Sequence, residues 1–166
     1  MNDYIFRKGD ITDADTLISL VDRRIAWMDR VGIDQWNHSH YHERYPREYY
    51  LERARRGELF LLCRRSDGEA VAGAVLFETD PRWGERPESA FYIHHLASAE
   101  EENGPGAEND RPAAANARRA GKQYLRLDSK IGNDALERWY TRLGFEAVGE
   151  CIDRYYEGLL RQLPLT

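Results

Sequence analysis

The sequence predicts an α/β (α+β) chain built on a mixed, mostly antiparallel central sheet with helices on both faces. Three observations carry that reading. Apolar, strand-like runs cluster in the middle, at ELFLLCRR and EAVAGAVLFETD around an SDG turn signal. From residue 90 onward, strand-like and helix-like stretches alternate. Proline or glycine stands at most of the boundaries. The resulting order, β-α-α-β-β-β-α-β-α-β-β, packs naturally as a sheet covered by helices.

Each element follows from its own residues. YIFRKGD, residues 4–10, reads as the first strand. In ITDADTLISLVDRRIAWMDRVG, Thr12 or Asp13 offers an N-cap. Leu17, Leu20, Val21, Ile25 and Met28 recur there at helical spacing, and Gly32 is placed to stop the helix. IDQWNHSHYHERYP has no clear period and reads as a loop, and PREYYLERARRG as a short helix opened by Pro46 and closed by Gly57. After the central hairpin come a loop, PRWGERPES, and an apolar strand, AFYIHHLAS. PAAANARRAG reads as a helix from Pro112 to Gly121, QYLRLDS as a strand, and NDALERWYTRLG as a helix stopped by Gly144. FEAVGECID is a strand and RYYEGLLRQLPL a weaker last one. No repeat, low-complexity tract or linker divides the chain, so residues 1–166 read as a single domain.

Composition narrows the function classes. With 42% apolar and 32% charged residues, the chain is that of an ordinary globular protein. A net charge of −5 and the absence of a Lys/Arg block argue against a nucleic-acid partner. No stretch approaches the ~20 apolar residues of a membrane span, and the first residues lack a signal core. Cys63 and Cys151 lie in strand-like settings, which suits buried free thiols in a reducing compartment, so the expected location is the cytoplasm.

The C-terminal half carries a resemblance. In YLRLDSKIGNDALERWYTRLGFEAVGE, the residues Asn133, Ala135, Tyr140, Gly144 and Phe145 stand at the spacing Asn-x-x-Ala-x-x-x-Tyr-x-x-x-Gly-Phe after a strand and a short turn. This resembles the GNAT N-acetyltransferase superfamily, and more loosely the likeness extends over nearly the whole chain. It implies a GNAT acetyltransferase fold and acyltransferase activity, with acetyl-CoA as co-substrate and a small-molecule or protein amine as acceptor. It implies roles too. Tyr140 would be the acid that protonates the departing thiolate, because a phenol of pKa ~10 keeps its proton at neutral pH. Asn133 would lie near the cofactor arm, and the backbone of Leu96, Ala97 and Ser98 would receive the pantetheine and the thioester carbonyl. From the residues alone, Tyr140 reads as a core aromatic of an amphipathic helix, and Asn133 as the N-cap of that helix.

The segment EEENGPGAENDRP stands where the family grips the cofactor pyrophosphate with successive backbone N–H groups at a helix start. Gly104 and Gly106 take the two small positions, followed by Ala107. The departures are plain. Glu101 occupies the basic or amide position, Pro105 has no N–H, and Pro112 falls where a longer helix would run. Five acidic residues, Glu100, Glu101, Glu102, Glu108 and Asp110, precede the first basic one, Arg111. Each opposes a nearby phosphate.

The acceptor side is less defined. His94 and His95 are neighbours on a strand, so alternation points them to opposite faces, one towards the acceptor amine as a base or into the core. The resemblance places Trp27, Trp36 and Asn37 on the wall of the acceptor pocket, while Trp27, on a helix, also reads as core; Glu78 reads as a further base or amine anchor and equally as a surface charge. His38, His40 and His42 in HSHYH have no second ligand cluster at metal spacing, so no metal is expected. The expected function is therefore N-acetyl transfer to an amine by direct attack. The alternative is a GNAT-like binding module that has lost catalysis and does not bind CoA tightly. The apolar, aromatic YYEGLL offers a surface for a homodimer.

Overall fold

The computed structural model describes residues 3–32, 36–99 and 110–165. Its first elements are β1 (Tyr4–Lys8), α1 (Ala14–Val31), α2 (Tyr41–Arg44), α3 (Arg47–Arg55), β2 (Leu59–Arg64) and β3 (Ala70–Phe77). Then come β4 (Ala90–Ser98), α4 (Asp110–Arg119), β5 (Tyr124–Lys130), α5 (Asp134–Arg142), β6 (Glu146–Asp153) and β7 (Tyr156–Pro164). The seven strands pair in the order β1-β2-β3-β4-β5-β7-β6. β4 and β5 run parallel, and β1–β2, β2–β3, β5–β7 and β6–β7 antiparallel, which is the mixed sheet the sequence predicts. The chain falls into two compact units, Met1–Leu76 with His94–Pro112, and Phe77–Ile93 with Ala113–Thr166.

In the first unit, α1 forms because Ala14, Leu17, Leu20, Val21 and Met28 share one buried face. Its start differs from expectation. The capping box belongs to Asp10, whose carboxylate accepts from Thr12 N–H at 2.8 Å while Asp13 accepts from Asp10 N–H at 2.9 Å, around a 3₁₀ turn at Ile11–Asp13. The Asp13 carboxylate does not cap α1, because that N–H and the Arg7 guanidinium, at 2.8 and 3.0 Å, engage it. Gly32 does stop α1, with φ 74° and its N–H on the Met28 carbonyl. β2 and β3 are buried almost throughout, as their unbroken apolar runs require. Gly73 of β3 has no room for a side chain: a Cβ there would stand 2.8 Å from both Leu17 and Leu61. Where a loop was expected, the chain makes a 3₁₀ turn at Trp36–His38 and the single-turn helix α2.

In the second unit, the segment between β3 and β4 is tied down rather than open. Asp80 caps a 3₁₀ turn at Pro81–Trp83, and Trp83 is buried with Ala90, Tyr92, Cys151 and Leu160. Arg82 donates to Asp128 at 3.1 Å and to Asp153 at 3.0 Å, and Tyr156 donates to Asp128 at 2.6 Å. Beside them Arg126 is 1% exposed. A buried cation needs compensation. Arg126 finds it in the Glu88 carboxylate at 3.4 Å, in the rings of Trp83 and Tyr124, 5.0 and 4.9 Å away, and in the Tyr92 hydroxyl at 2.9 Å. β7, expected to be the weakest strand, spans Tyr156–Pro164 and pairs on both sides, with β5 and β6.

The described part of α4 runs from Asp110 to Arg119, so helix is already present ahead of Pro112, where the sequence places its start. Cys63 and Cys151 are free and buried. Among the described residues, no helix is long and apolar enough to cross a membrane.

Candidate active site

The most organised polar cluster of the first unit surrounds His95. This residue lies in β4 with φ 56°, in the left-handed region, at a cost of about 1–3 kcal/mol that the surrounding structure must offset. The offset is visible. Tyr41 is hydrogen-bonded to His95 Nδ1, Tyr49 to His95 Nε2 at 2.9 Å, and Tyr50 donates to the Tyr41 hydroxyl at 3.1 Å. The Tyr45 ring stands edge-on to the imidazole with centroids 4.4 Å apart. Because Tyr50 donates to Tyr41, the Tyr41 proton is left for Nδ1, and Nε2–H then donates to the Tyr49 oxygen. Burial raises Tyr41 and Tyr49 well above the ordinary phenol range and pushes Tyr50 up to about 12, so all three remain protonated donors at neutral pH.

The left-handed φ also corrects an expectation. His94 and His95 do not alternate cleanly to opposite faces, since their ring centroids are 6.0 Å apart at 47°. Left-handed backbone at His95 breaks the two-residue period, and the His95 ring turns into the tyrosine cluster while His94 stays half-buried. Sequence reasoning singled out His95 but missed Tyr41, Tyr45, Tyr49 and Tyr50. Their signal was faint: Tyr41, Tyr45 and Tyr49 recur every four residues in YHERYPREY, a helical spacing interrupted by Pro46.

Beyond His95, β4 carries Leu96, Ala97 and Ser98. Ala97 is 1% exposed, and its two neighbours are half-buried. Ala99 N–H donates to the Val71 carbonyl of β3 at 2.7 Å, so by alternation the N–H and C=O of Ser98 face the opposite edge of the strand. The Ser98 hydroxyl accepts from Arg24 of α1 at 2.6 Å, and the Arg24 guanidinium lies 4.8 Å from the Trp27 ring centroid. Trp27 is thus a stacking partner for a cation, and half-buried rather than part of the α1 core. Trp36 stacks on Tyr41 at 5.0 Å, which ties it to the His95 cluster, whereas Asn37 donates to Asp29 at 2.7 Å. Of the HSHYH histidines, His42 pairs with Asp22 at 2.6 Å and His40 with Glu43 at 3.6 Å.

In the second unit, Asn133 accepts from Leu136 N–H at 3.0 Å and so caps α5, as its side-chain chemistry favours. Tyr140 stands two turns further along α5. Its ring meets Phe145 edge-on at 5.5 Å and has the Arg161 guanidinium 5.6 Å from its centroid. α5 buries none of its residues fully, and Tyr140 is half-buried. Glu78 is exposed and bonded to Lys122 at 2.6 Å. It lines an open groove of about 870 Å³ with Asp80, Glu85, Arg86, Glu88 and Tyr92, a predominantly acidic wall. Gly104, Gly106 and Ala107 lie outside the described residues.

No family model matches the chain, and no curated protein matches it in sequence. Solved structures do. A GNAT-family acetyltransferase from Listeria monocytogenes is 18% identical, with a TM-score of 0.76 over 96% of this chain and 95% of its own. A GNAT-family acetyltransferase from Streptococcus agalactiae gives 0.78 at 15% identity over 97% and 95%. The PaiA N-acetyltransferase from Thermoplasma acidophilum, solved in complex with coenzyme A, gives 0.73 at 17% identity over 99% of both chains. The chain has the GNAT acetyltransferase fold.

Proposed function

We propose that this protein is a cytoplasmic N-acetyltransferase that moves an acetyl group from acetyl-CoA to an amine by direct attack. The observation that carries the reading is His95: a strained histidine, hydrogen-bonded at both ring nitrogens, on β4 of a fold whose solved examples include acetyltransferases. Fold alone does not fix function, so the site must supply the chemistry. An attacking amine has to lose a proton, and an expelled thiolate has to gain one.

His95 takes the first proton through Tyr49, its half-exposed hydrogen-bond partner. Reversal of the hydroxyl chain lets Tyr49 donate to Nε2 while Nδ1–H donates to Tyr41, and Tyr41 to Tyr50. A proton received at the Tyr49 oxygen then leaves His95 as imidazolium. Tyr140 is the acid for the thiolate. The outward edge of β4 at Leu96 and Ser98 offers backbone donors and acceptors that suit an arm made of amides, and Asn133 and the segment with Gly104, Gly106 and Ala107 complete the proposed binding set. The fit is one of donor chemistry: strand-edge amides match pantetheine amides. Trp27, Trp36, Asn37, Glu78 and His94 are the proposed acceptor-side residues.

The test is amine-dependent release of free CoA thiol, measured with a thiol reagent over a panel of diamines, polyamines, amino-acid amides and peptide N-termini. Thiol release with at least one class, accompanied by the acetylated amine in mass spectra, is the expected result. CoA binding by calorimetry with no turnover across the panel would identify a binding module instead, and absence of both would overturn the reading.

A further inference from the structure

Resting on that reading, we propose that Arg161 is the fixed positive charge that stabilises the CoA thiolate beside Tyr140. Arg161 lies in β7 and is 3% exposed. A cation taken out of water normally needs a carboxylate. Two other arginines of the second unit have one: Arg126 pairs with Glu88, and Arg82 with Asp128 and Asp153. Among the described residues, Arg161 has none. Its Nε donates to the Ser129 hydroxyl at 3.0 Å, and its guanidinium lies 5.6 Å from the Tyr140 ring centroid. Directly across from it stand Leu127 on β5 and Ala147 on β6, neither of them charged. A hydroxyl and an aromatic face hold the guanidinium without neutralising it, and its two terminal nitrogens keep their donors for an anion.

The surroundings say which anion. β5 pairs with β4 only at Tyr124, Leu125 and Arg126, whereas its pairing with β7 continues to Lys130. Among the described residues, the β4 side of β5 from Leu127 onward therefore has no strand partner, and Ser129, which holds Arg161, belongs to that open edge. Tyr140, the proposed acid, stacks on the same guanidinium. In the proposed reaction the amine nitrogen bonds to the acetyl carbon, and the C–S bond breaks with its electron pair on sulfur. The proton that the amine loses goes to His95. Tyr140 gives its own proton to sulfur and regains one from solvent, so the negative charge passes from sulfur to the Tyr140 oxygen. A buried cation beside that ring lowers the energy of both charged states, and does so most strongly where water is excluded.

The test reads the thiol itself. Thiolate absorbance of CoA bound to the native protein, Arg161→Met and Arg161→Lys would be titrated against pH, with S-methyl-CoA, which has no thiol, as the blank. On the native protein the thiol should titrate about one pH unit below that of free CoA. Arg161→Met should lose that shift, and Arg161→Lys should keep part of it, because it retains the charge without the fork. With Arg161→Met, kcat should fall about 10²-fold while the Kd for S-methyl-CoA stays within about twofold. Its thermal midpoint should be no lower than the native one, since no carboxylate is left unpaired. Should Arg161→Met fail to fold, Arg161→Gln, which removes the charge and keeps an amide for Ser129, takes its place in the titration. The same thiol midpoint in the native protein and the uncharged variant overturns the proposal. So does an equal loss of affinity for CoA and S-methyl-CoA at an unchanged midpoint, which would make Arg161 a packing residue. A lowered midpoint without turnover upholds the thiolate site and overturns only acetyl transfer. If the native protein binds neither ligand, the acetyltransferase reading itself fails and the role of Arg161 fails with it.

Discussion

Tyr49 and His95, 46 residues apart in the chain, are hydrogen-bonded through Oη and Nε2 at 2.9 Å. The contact links α3 to a strained position in β4 and gives a buried imidazole a half-exposed partner. If the pair is the acceptor-side base, His95→Gln should lower kcat by about 10²–10⁴. A base works only when unprotonated, so the native kcat/KM should climb with pH through the titration of the cluster, and that climb should vanish in His95→Gln. Tyr49→Phe keeps the ring and should lose a smaller part of kcat with KM nearly unchanged. A stability loss in both variants with intact pH–rate profiles would make the cluster structural only.

Tyr140 is the proposed acid for the departing thiolate. Tyr140→Phe keeps the contact with Phe145 and removes only the phenol, and should lower kcat about 10²-fold while the Kd for acetyl-CoA stays within a factor of about two. Equal losses in kcat and affinity would assign Tyr140 to cofactor binding and remove it as the acid.

Asp13 sets an acid limit on stability. The Arg7 guanidinium, by its hydrogen bonds first, holds the Asp13 carboxyl below its ordinary range, with the Asp10 N–H adding to the effect. A depressed pKa means the stabilisation is complete above the unfolded value of about 3.9 and is lost as pH falls through the lower folded one. Asp13→Ala should therefore cost about 1–2 kcal/mol near neutral pH. The gap to the native protein should close below about pH 3.9 as the native carboxylate also protonates. Denaturant midpoints across that range measure it, and a gap independent of pH would refute the charge argument.

Gly73 decides how closely α1 approaches the sheet. Gly73→Ala would place a Cβ 2.8 Å from the side chains of Leu17 and Leu61 and should cost about 1–3 kcal/mol by overpacking. Combining it with Leu17→Ala should give less than the sum of the two losses, because the smaller side chain opens the space the new methyl fills. Additive losses would mean that the clash is relieved elsewhere.

Much of this was legible in one dimension, because it depends on local periodicity and on backbone chemistry. The apolar spacing of α1 and the unbroken runs of β2 and β3 announce one buried face and two. Gly32 and Gly144 end α1 and α5 with positive φ, as glycine most readily allows, and Asn133 caps α5 with its own carbonyl. Tertiary structure alone decided the rest. Nothing in HSHYHERYPREYY says that four of its tyrosines converge on a histidine some fifty residues later, since the segment has no sustained period and its partner is remote. The turn of the His95 ring away from simple alternation comes from a left-handed backbone that its hydrogen bonds sustain. Arg24 reads in sequence as one more charge on a helix. Its place on Ser98 exists only because packing of α1 brings it to the end of β4, a long-range contact that no local pattern encodes.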